Sequence, residues 1–361
     1  MAESRQHPKI AVIGAGIIGA AIGYHLAKAG AAPLIFDAEA GGGVATAASW
    51  AWLNASWGNR PDYARLRRRS LALWRELGNE VPELPLRFCG SLTYDLTPAD
   101  LDLFARDFHH DDYPVRIVGP AEIARLEPNL KDRPERAVHC AGEGVAEPLG
   151  ASQALRRRAV AMGATFVPST RIEGLSTVGG RIAGIQLGGQ TTTVDIVVAC
   201  AGASSPELLA SAGFALPMQS PEGLLVHTQP LSPVLNGLIV APELHVRQTD
   251  QGRLVAGFDF VGTIVDAPGF AACRLIARMN ELLRLPEPAM LAFASTGLRP
   301  TPSDGFPVIG FVPGVDGLYV AAMHSGMTLA AAVGKFAAGE ILSQSSESVL
   351  APYRPGRLTI R

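Results

Sequence analysis

Two groups of residues have types and spacings that could do chemistry, and they lie at opposite ends of the 361-residue chain. The first is Gly14, Gly16 and Gly19, a Gly-x-Gly-x-x-Gly, followed by Asp37, 23 residues after Gly14. Glycine allows a tight turn at position 14, close approach of the backbone to a pyrophosphate at 16, and close helix–strand packing at 19. A helix starting there offers unpaired N–H groups and partial positive charge to that anion. A carboxylate at position 37 can accept hydrogen bonds from a ribose diol. The second group is Arg299 in Gly297-Leu298-Arg299-Pro300, with His324-Ser325-Gly326-Met327-Thr328 beyond it. A lone cation among apolar and turn residues suits a bidentate clamp on a substrate carboxylate. It equally suits a structural salt bridge, and the pattern leaves both open. The His-Ser-Gly-Met turn sits between an apolar run and an Ala-rich helical stretch. Its N–H groups can therefore stabilise negative charge on a ligand.

The elements that must position these residues follow from the apolar pattern. Residues 10–13 form a fully apolar run, as in a parallel strand buried on both faces. Residues 20–29 are good helix formers stopped at Gly30, and residues 34–36 make a second strand that ends on Asp37. Strand, glycines, helix, stop, strand and acid in register point to a dinucleotide. The apolar stretch 10–26 is too short and too glycine-rich to be a comfortable membrane span. Residues 193–201 give another buried-type strand ending in Ala201 and Gly202. Small residues there sit at the carboxyl edge of the sheet, where open α/β folds bind ligands.

Between these landmarks the chain leaves and returns. A small-residue loop, 41–49, precedes a tryptophan-rich run at Trp50, Trp52 and Trp57, too apolar for a linker. Residues 62–77 have helical spacing, with Arg65, Arg67, Arg68 and Arg69 read as a mostly solvated face, and Arg156, Arg157 and Arg158 are read the same way. Strands are expected at 90–96, 165–167, 170–175, 181–187 and 191–199, and through a β-rich block from 218 to 260, with helices at 98–108, 120–126, 149–162 and 267–285. The organisation expected is α/β. A Rossmann-like nucleotide-binding domain is assembled from 1–85, 141–216 and 292–361. A mainly antiparallel β domain with helices is made from 86–140 and 217–291.

Composition narrows the function classes. Apolar residues are 48 % and charged residues 18 %, with a formal net charge of −2. That gives no global electrostatic case for nucleic acid or an anionic membrane surface. Cys89, Cys140, Cys200 and Cys273 are widely spaced, which argues against a metal site, a redox dithiol or a disulfide scaffold. The first residues, MAESRQHPK, lack the apolar core of a signal peptide, so cytoplasm is the expected location.

Taken together these blocks resemble the D-amino-acid-oxidase superfamily of flavoproteins, in the branch containing glycine oxidase, sarcosine oxidase and D-amino-acid dehydrogenase. The resemblance spans nearly the whole chain and is densest at Gly297-Leu298-Arg299-Pro300, Asp304-Gly305 and Ile309-Gly310. It implies a glutathione-reductase-like FAD-binding domain. Gly14, Gly16, Ile17, Ile18 and Gly19 would meet the FAD pyrophosphate, with Asp37 and Ala38 at the adenosine ribose. Ala47, Ala48 and Ser49 would line the flavin and its phosphates. Ile172 would contact adenine, and Ala201 and Gly202 would approach the cofactor at the strand end. Gly326, Met327 and Thr328 would face the flavin pyrimidine edge.

Arg299 matches the family's substrate-carboxylate arginine. His245 stands where glycine oxidases usually carry a tyrosine; it joins Arg247 and Trp52 as an expected substrate contact, while His245 and His324 are expected to help bind a neutral amine. With no cysteine near Gly297 and no histidine in 49–54, non-covalent FAD is expected. The implied reaction is oxidation of a small amino acid's C–N bond to an imine, with oxygen or an electron carrier as acceptor. A quinone-linked dehydrogenase, a 2-hydroxy-acid oxidase and a non-catalytic flavoprotein subunit are the alternatives, and a homo-oligomer is left open.

Overall fold

A computed structural model describes residues 8–55, 58–258, 268–343 and 346–358. Trp57 lies outside the described residues. The strand Ile10–Ile13 is buried along its whole length. It is flanked in parallel by Ile196–Ala199 and Leu34–Phe36. Thr165–Val167 and Leu318–Ala322 extend the parallel sheet on either side, and Val308–Phe311 closes one edge antiparallel, giving six strands. Burial on both faces is why these strands read as continuous apolar runs rather than alternating ones.

Helices Ile17–Lys28, Pro148–Ala161 and Gly326–Ser343 cover one face, and two glycines allow close approach, one to the preceding turn and one between helices. A Cβ at Gly19 would overlap the Gly14 carbonyl, and one at Gly334 would come within 2.9 Å of the Ala21 backbone. The helix that begins the nucleotide motif and the helix that follows the His-Ser-Gly-Met turn are therefore in near-backbone contact. Helix Pro61–Glu80 packs on the second of these. It buries Tyr63, Arg67, Ser70, Trp74 and Leu77, a stripe at three- and four-residue intervals.

The other large sheet has eight strands. Glu222–Pro230, Leu238–Ala241, Leu244–Gln248 and Arg253–Gly257 supply its middle. Ser91–Thr93, Val115–Val118 and Ala137–Cys140 join at one side, through one parallel pairing with Leu238–Ala241. Leu291–Leu298 forms the opposite edge, antiparallel to Glu222–Pro230. This corrects the expected grouping of residues 292–298 with the nucleotide-binding segments. The strand is mostly exposed and is held by its long antiparallel backbone pairing with Glu222–Pro230, and the chain rejoins the six-stranded sheet only at Val308–Phe311. The expected strands 170–175 and 191–199 shift to Gly174–Val178 and to Gln190–Thr192 plus Ile196–Ala199. Pro168 and Ser169 (φ 50°) break the first, freeing residues 170–173 to pass over the nucleotide end.

Two arginines expected at the surface turn inward. Arg67 and Arg156 are 5 % and 6 % exposed. Arg156 donates to the Gly41 carbonyl at 3.1 Å and stacks over Phe166. Each lies on its helix's buried stripe, and burial of the stem overrides the preference of the charge for water because the guanidinium is hydrogen-bonded. Among the described residues no helix is long and apolar enough to cross a membrane.

Candidate active site

The two ends of the chain meet across one cavity of about 900 Å³. Its first wall is the nucleotide motif. Gly14 (φ 100°) occupies a left-handed turn, and a Cβ there would overlap the Cys200 carbonyl. Gly16 caps the Ile17–Lys28 helix with no side chain of its own, and no acid lies in the first turn. The helix start is thus shaped for an anion. Asp37 is almost buried. Its Oδ2 accepts from the Ala15 N–H at 2.6 Å and its Oδ1 from the Glu39 N–H at 2.8 Å. The carboxylate braces the glycine turn and keeps further lone pairs for a ribose hydroxyl.

Thr46 is not among the residues expected from the sequence. Its Oγ1 accepts from the Ile17 N–H at 3.0 Å and so ties the small-residue loop to the helix start. A Cβ at Gly43 (φ 87°) would press on Gly16, so that loop closes over the motif only because position 43 is glycine.

The second wall holds the carboxyl-terminal residues. Arg299 follows the edge strand and lies across Gly223 of the neighbouring strand, where a Cβ would overlap its guanidinium. His324, Ser325, Gly326, Met327 and Thr328 line the same space. Their turn is heavily braced. The Trp74 indole donates to the Met327 carbonyl at 2.9 Å, and the Thr328 hydroxyl donates to the Trp52 carbonyl at 3.0 Å. Ser325 sits at φ 59°, an uncommon conformation for a side chain with a Cβ. Burial, with Arg67 and Arg299 nearby, pushes the His324 imidazole down to about 4, so it is neutral at physiological pH.

Most residues singled out from the sequence line this cavity: Gly14, Gly16, Ile17, Ile18, Asp37, Ala38, Ala48, Ser49, Trp52, Ile172, Ala201, Gly202, Arg299, His324, Gly326, Met327 and Thr328. Gly19 lies just behind it, under the helix. Ala47 is exposed outside the lining. His245 and Arg247 are not brought into it. His245 packs behind Trp50, with Nε2 3.2 Å from the Asp95 carboxylate. Arg247 is spent on an ion pair, its Nη1 2.5 Å from Glu147 Oε1 and its Nε donating to the Trp50 carbonyl at 2.6 Å. The strand alternation that buries Leu244 and Val246 in the apolar core sends both polar side chains to the opposite face, against the Trp50 wall.

The structure adds Asn54, Tyr63, Arg67 and Phe306 to the lining. Behind Trp52 lies a carboxyl that no motif pointed to: Glu143 is 1 % exposed and accepts from the Trp52 indole at 2.8 Å and from the Tyr113 hydroxyl. Burial pushes its carboxyl up to about 7.

Residues 9–339 match the family model of the DAO FAD-dependent oxidoreductases. The chain belongs to this family. The DAO-family chain is 27 % identical to the glycine oxidase of Geobacillus kaustophilus over 95 % of each chain. It superposes on the crystal structure of glycine oxidase from that organism with a TM-score of 0.86, covering 98 % of this chain and 100 % of that one. It is 25 % identical to an opine oxidase subunit of Agrobacterium tumefaciens over 96 % of each. The iminodiacetate oxidase structure from Chelativorans sp. BNC1 matches at 25 % identity and a TM-score of 0.84, over 96 % of this chain and 99 % of that one.

The DAO family is FAD-dependent, and the cavity of this member fits that cofactor. Its length runs from an acid-braced glycine turn to a second helix start with no acid in its first turn. Glycines at 14, 16 and 43 let the turn, the strand end after Cys200 and the 41–49 loop close around the cavity, where a Cβ would meet Cys200, Thr46 or Gly16. Residues 14–18, 37–38 and 170–172 would hold the adenosine diphosphate half, and residues 48–52 and 326–328 the ring end.

Proposed function

We propose that this DAO-family oxidoreductase oxidises the C–N bond of a small amino acid (glycine, a D-amino acid or an N-alkyl amino acid) to an imine. The observation that carries the reading is Arg299, seated over Gly223 and opening into the same cavity as residues 326–328. Bound FAD supplies the two-electron acceptor for the hydride lost as the amine C–N becomes C=N. The chain's residues do the rest. Arg299 clamps the carboxylate and so fixes which hydrogen of the adjoining carbon is presented for transfer, an orientation effect that can reach about 7–11 kcal/mol when alignment is good. Trp50, Trp52 and Phe306 exclude water around it.

Arg67 and Arg299, with a neutral His324, make this end of the cavity electropositive. That disfavours a protonated amine and favours the neutral form whose nitrogen lone pair forms the imine. Water then hydrolyses the imine, releasing ammonia or an alkylamine. Glycine and iminodiacetate, named in two of the relatives, are both amines bearing carboxylate. That chemistry supports a carboxylate clamp beside an electron acceptor here.

FAD is held without a covalent bond in this reading. Cys200 is the cysteine among the described lining residues, and burial pushes its thiol far above the ordinary range, leaving no thiolate to form a link. Acid precipitation should leave the yellow colour in the supernatant. The deciding experiment is anaerobic: the flavin band at about 450 nm should bleach with some amines of a D-, L- and N-alkyl amino-acid panel. Bleaching by 2-hydroxy acids alone, or by nothing on the panel, would overturn the reading. Readmitting air and measuring peroxide then separates oxygen from a carrier as the acceptor.

A further inference from the structure

Arg67 takes no part in the carboxylate clamp, yet among the described residues it is the most deeply buried cation of the cavity wall. It projects from helix Pro61–Glu80 at 5 % exposure. Its Nε donates to the Asn54 carbonyl at 3.1 Å, its Nη2 donates to the Asn54 side-chain oxygen, and its Nη1 donates to the Ser325 hydroxyl at 2.8 Å. Three groups on two separate segments hold the guanidinium in one orientation. Its Ser325 tie lies immediately before Gly326, where an 18-residue helix begins with residues 326–328 in the cavity lining. A helix start of this kind carries about half a positive charge. The fixed cation beside it adds a full one.

Charge along the cavity is divided. The lining acids Asp37, Glu39, Glu173 and Glu207 all belong to segments at the nucleotide end. Among the described lining residues, segments 50–67, 297–306 and 323–328 contribute Arg67 and Arg299 and no carboxylate. A substrate carboxylate answers Arg299. Glu143, behind Trp52, also feels Arg67, but burial raises its carboxyl to about 7 and takes much of its charge away.

We propose that Arg67 is the electrostatic partner of the reduced cofactor. With the N–H groups of residues 326–328 it stabilises the negative charge that the ring system gains when a hydride arrives from the substrate's C–H bond. Arg67 neither gives nor takes a proton in this step; it lowers the energy of the charged product by its fixed position. The proposal rests on the amine-oxidation reading for the source of the hydride, but its test does not.

The probe is sodium sulfite, whose addition to the oxidised ring system also leaves it negatively charged, read by bleaching in the purified holoprotein. Arg67→Met should weaken sulfite binding by at least about ten-fold, as expected for removing a unit charge from the cavity wall at intermediate dielectric. It should also shift the cofactor's midpoint potential to more negative values. Arg67→Lys should recover part of both. Arg67→Gln keeps hydrogen-bonding capacity without charge and should behave like Met, which covers the case in which Met fails to fold. Ser325→Ala removes one of the three groups that orient Arg67 but leaves the charge and both Asn54 contacts, and should lose clearly less sulfite affinity than Arg67→Gln.

Unchanged sulfite affinity and potential in Arg67→Gln would overturn the proposal. So would a loss in Ser325→Ala as large as in Arg67→Gln, since the turn rather than the charge would then be responsible. Bleaching by amino acids is read separately in the unsubstituted protein. Failure there removes the amine-oxidation reading and leaves the sulfite result to decide on Arg67.

Discussion

Residue by residue, the site is governed by what a glycine leaves room for. Arg299 can lie across its neighbouring strand only because position 223 has no Cβ. Gly223→Ala should therefore act like a partial loss of the clamp. It should raise KM for carboxylate substrates roughly ten-fold and leave the FAD content unchanged, against roughly a hundred-fold for Arg299→Ala, which removes a charge-assisted bidentate contact altogether. Steady-state kinetics of the two variants check this, and an unchanged KM in Arg299→Ala would remove the clamp from the mechanism. Glu143 acts on stability instead. Its carboxyl, raised from 4.5 to about 7 by burial, holds its proton more tightly folded than unfolded. The stabilisation is complete below the unfolded value and is lost as pH rises through about 7, roughly 3 kcal/mol in all. Glu143→Gln should thus flatten the fall in Tm between pH 5 and pH 8, and thermal melts across that range give the comparison. Arg67 shows why some of this escaped the sequence. Among four neighbouring arginines it looked like part of a solvated face, yet only position 67 falls in step with Tyr63, Ser70, Trp74 and Leu77. The period was there to be read; the charge masked it.

One level up, the two ends of the cavity are joined through two helices that touch almost backbone to backbone. The Ile17–Lys28 helix starts in the lining at the glycine-motif end of the cavity, and the Gly326–Ser343 helix starts in the lining at the Arg299 end. Their relative position fixes the distance between those ends, and Gly334 against Ala21 sets it. Gly334→Leu must push the helices apart in a packed core, at a cost of about 1–3 kcal/mol. The expected outcome is a lower urea midpoint together with faster loss of FAD on gel filtration. A variant with reduced stability and unaltered FAD retention would show that this contact does not govern cofactor geometry. These helices and the parallel strands were legible because burial on both faces, glycine stops and capping positions all agree there. The edge strand Leu291–Leu298 was not. Its partner is Glu222–Pro230, some seventy residues away, and nothing local in Ala292 to Gly297 distinguishes which sheet will pair with it. His245 and Arg247 failed for a related reason. Alternation says that two residues share a face, but which face meets the cavity is decided by packing elsewhere in the sheet.

For the molecule as a whole, the cavity exists only if the eight-stranded sheet stays seated against the nucleotide-binding layers, and Arg247 is the polar anchor of that seating. From strand Leu244–Gln248 it reaches the Trp50 carbonyl, in the cavity wall, and Glu147, the residue ahead of helix Pro148–Ala161. The Trp50 indole returns the bond by donating to the Val255 carbonyl at 3.1 Å. The arginine side chain is almost wholly enclosed, while Glu147 keeps some contact with water. Removing the cation strands a partly desolvated carboxylate and a buried carbonyl. Removing both charged partners strands only the carbonyl, and apolar replacements of similar length can recover packing. Arg247→Met should therefore lose about 3 kcal/mol of stability, and Arg247→Met with Glu147→Met distinctly less. Urea denaturation of the two variants, followed by flavin fluorescence and by circular dichroism, separates the possibilities. Release of FAD below the main transition in the single variant would mark this pair as the hinge of the seating. Equal losses in single and double variants would mean that apolar contacts around Trp50 hold the layers together and that the ion pair contributes nothing of its own.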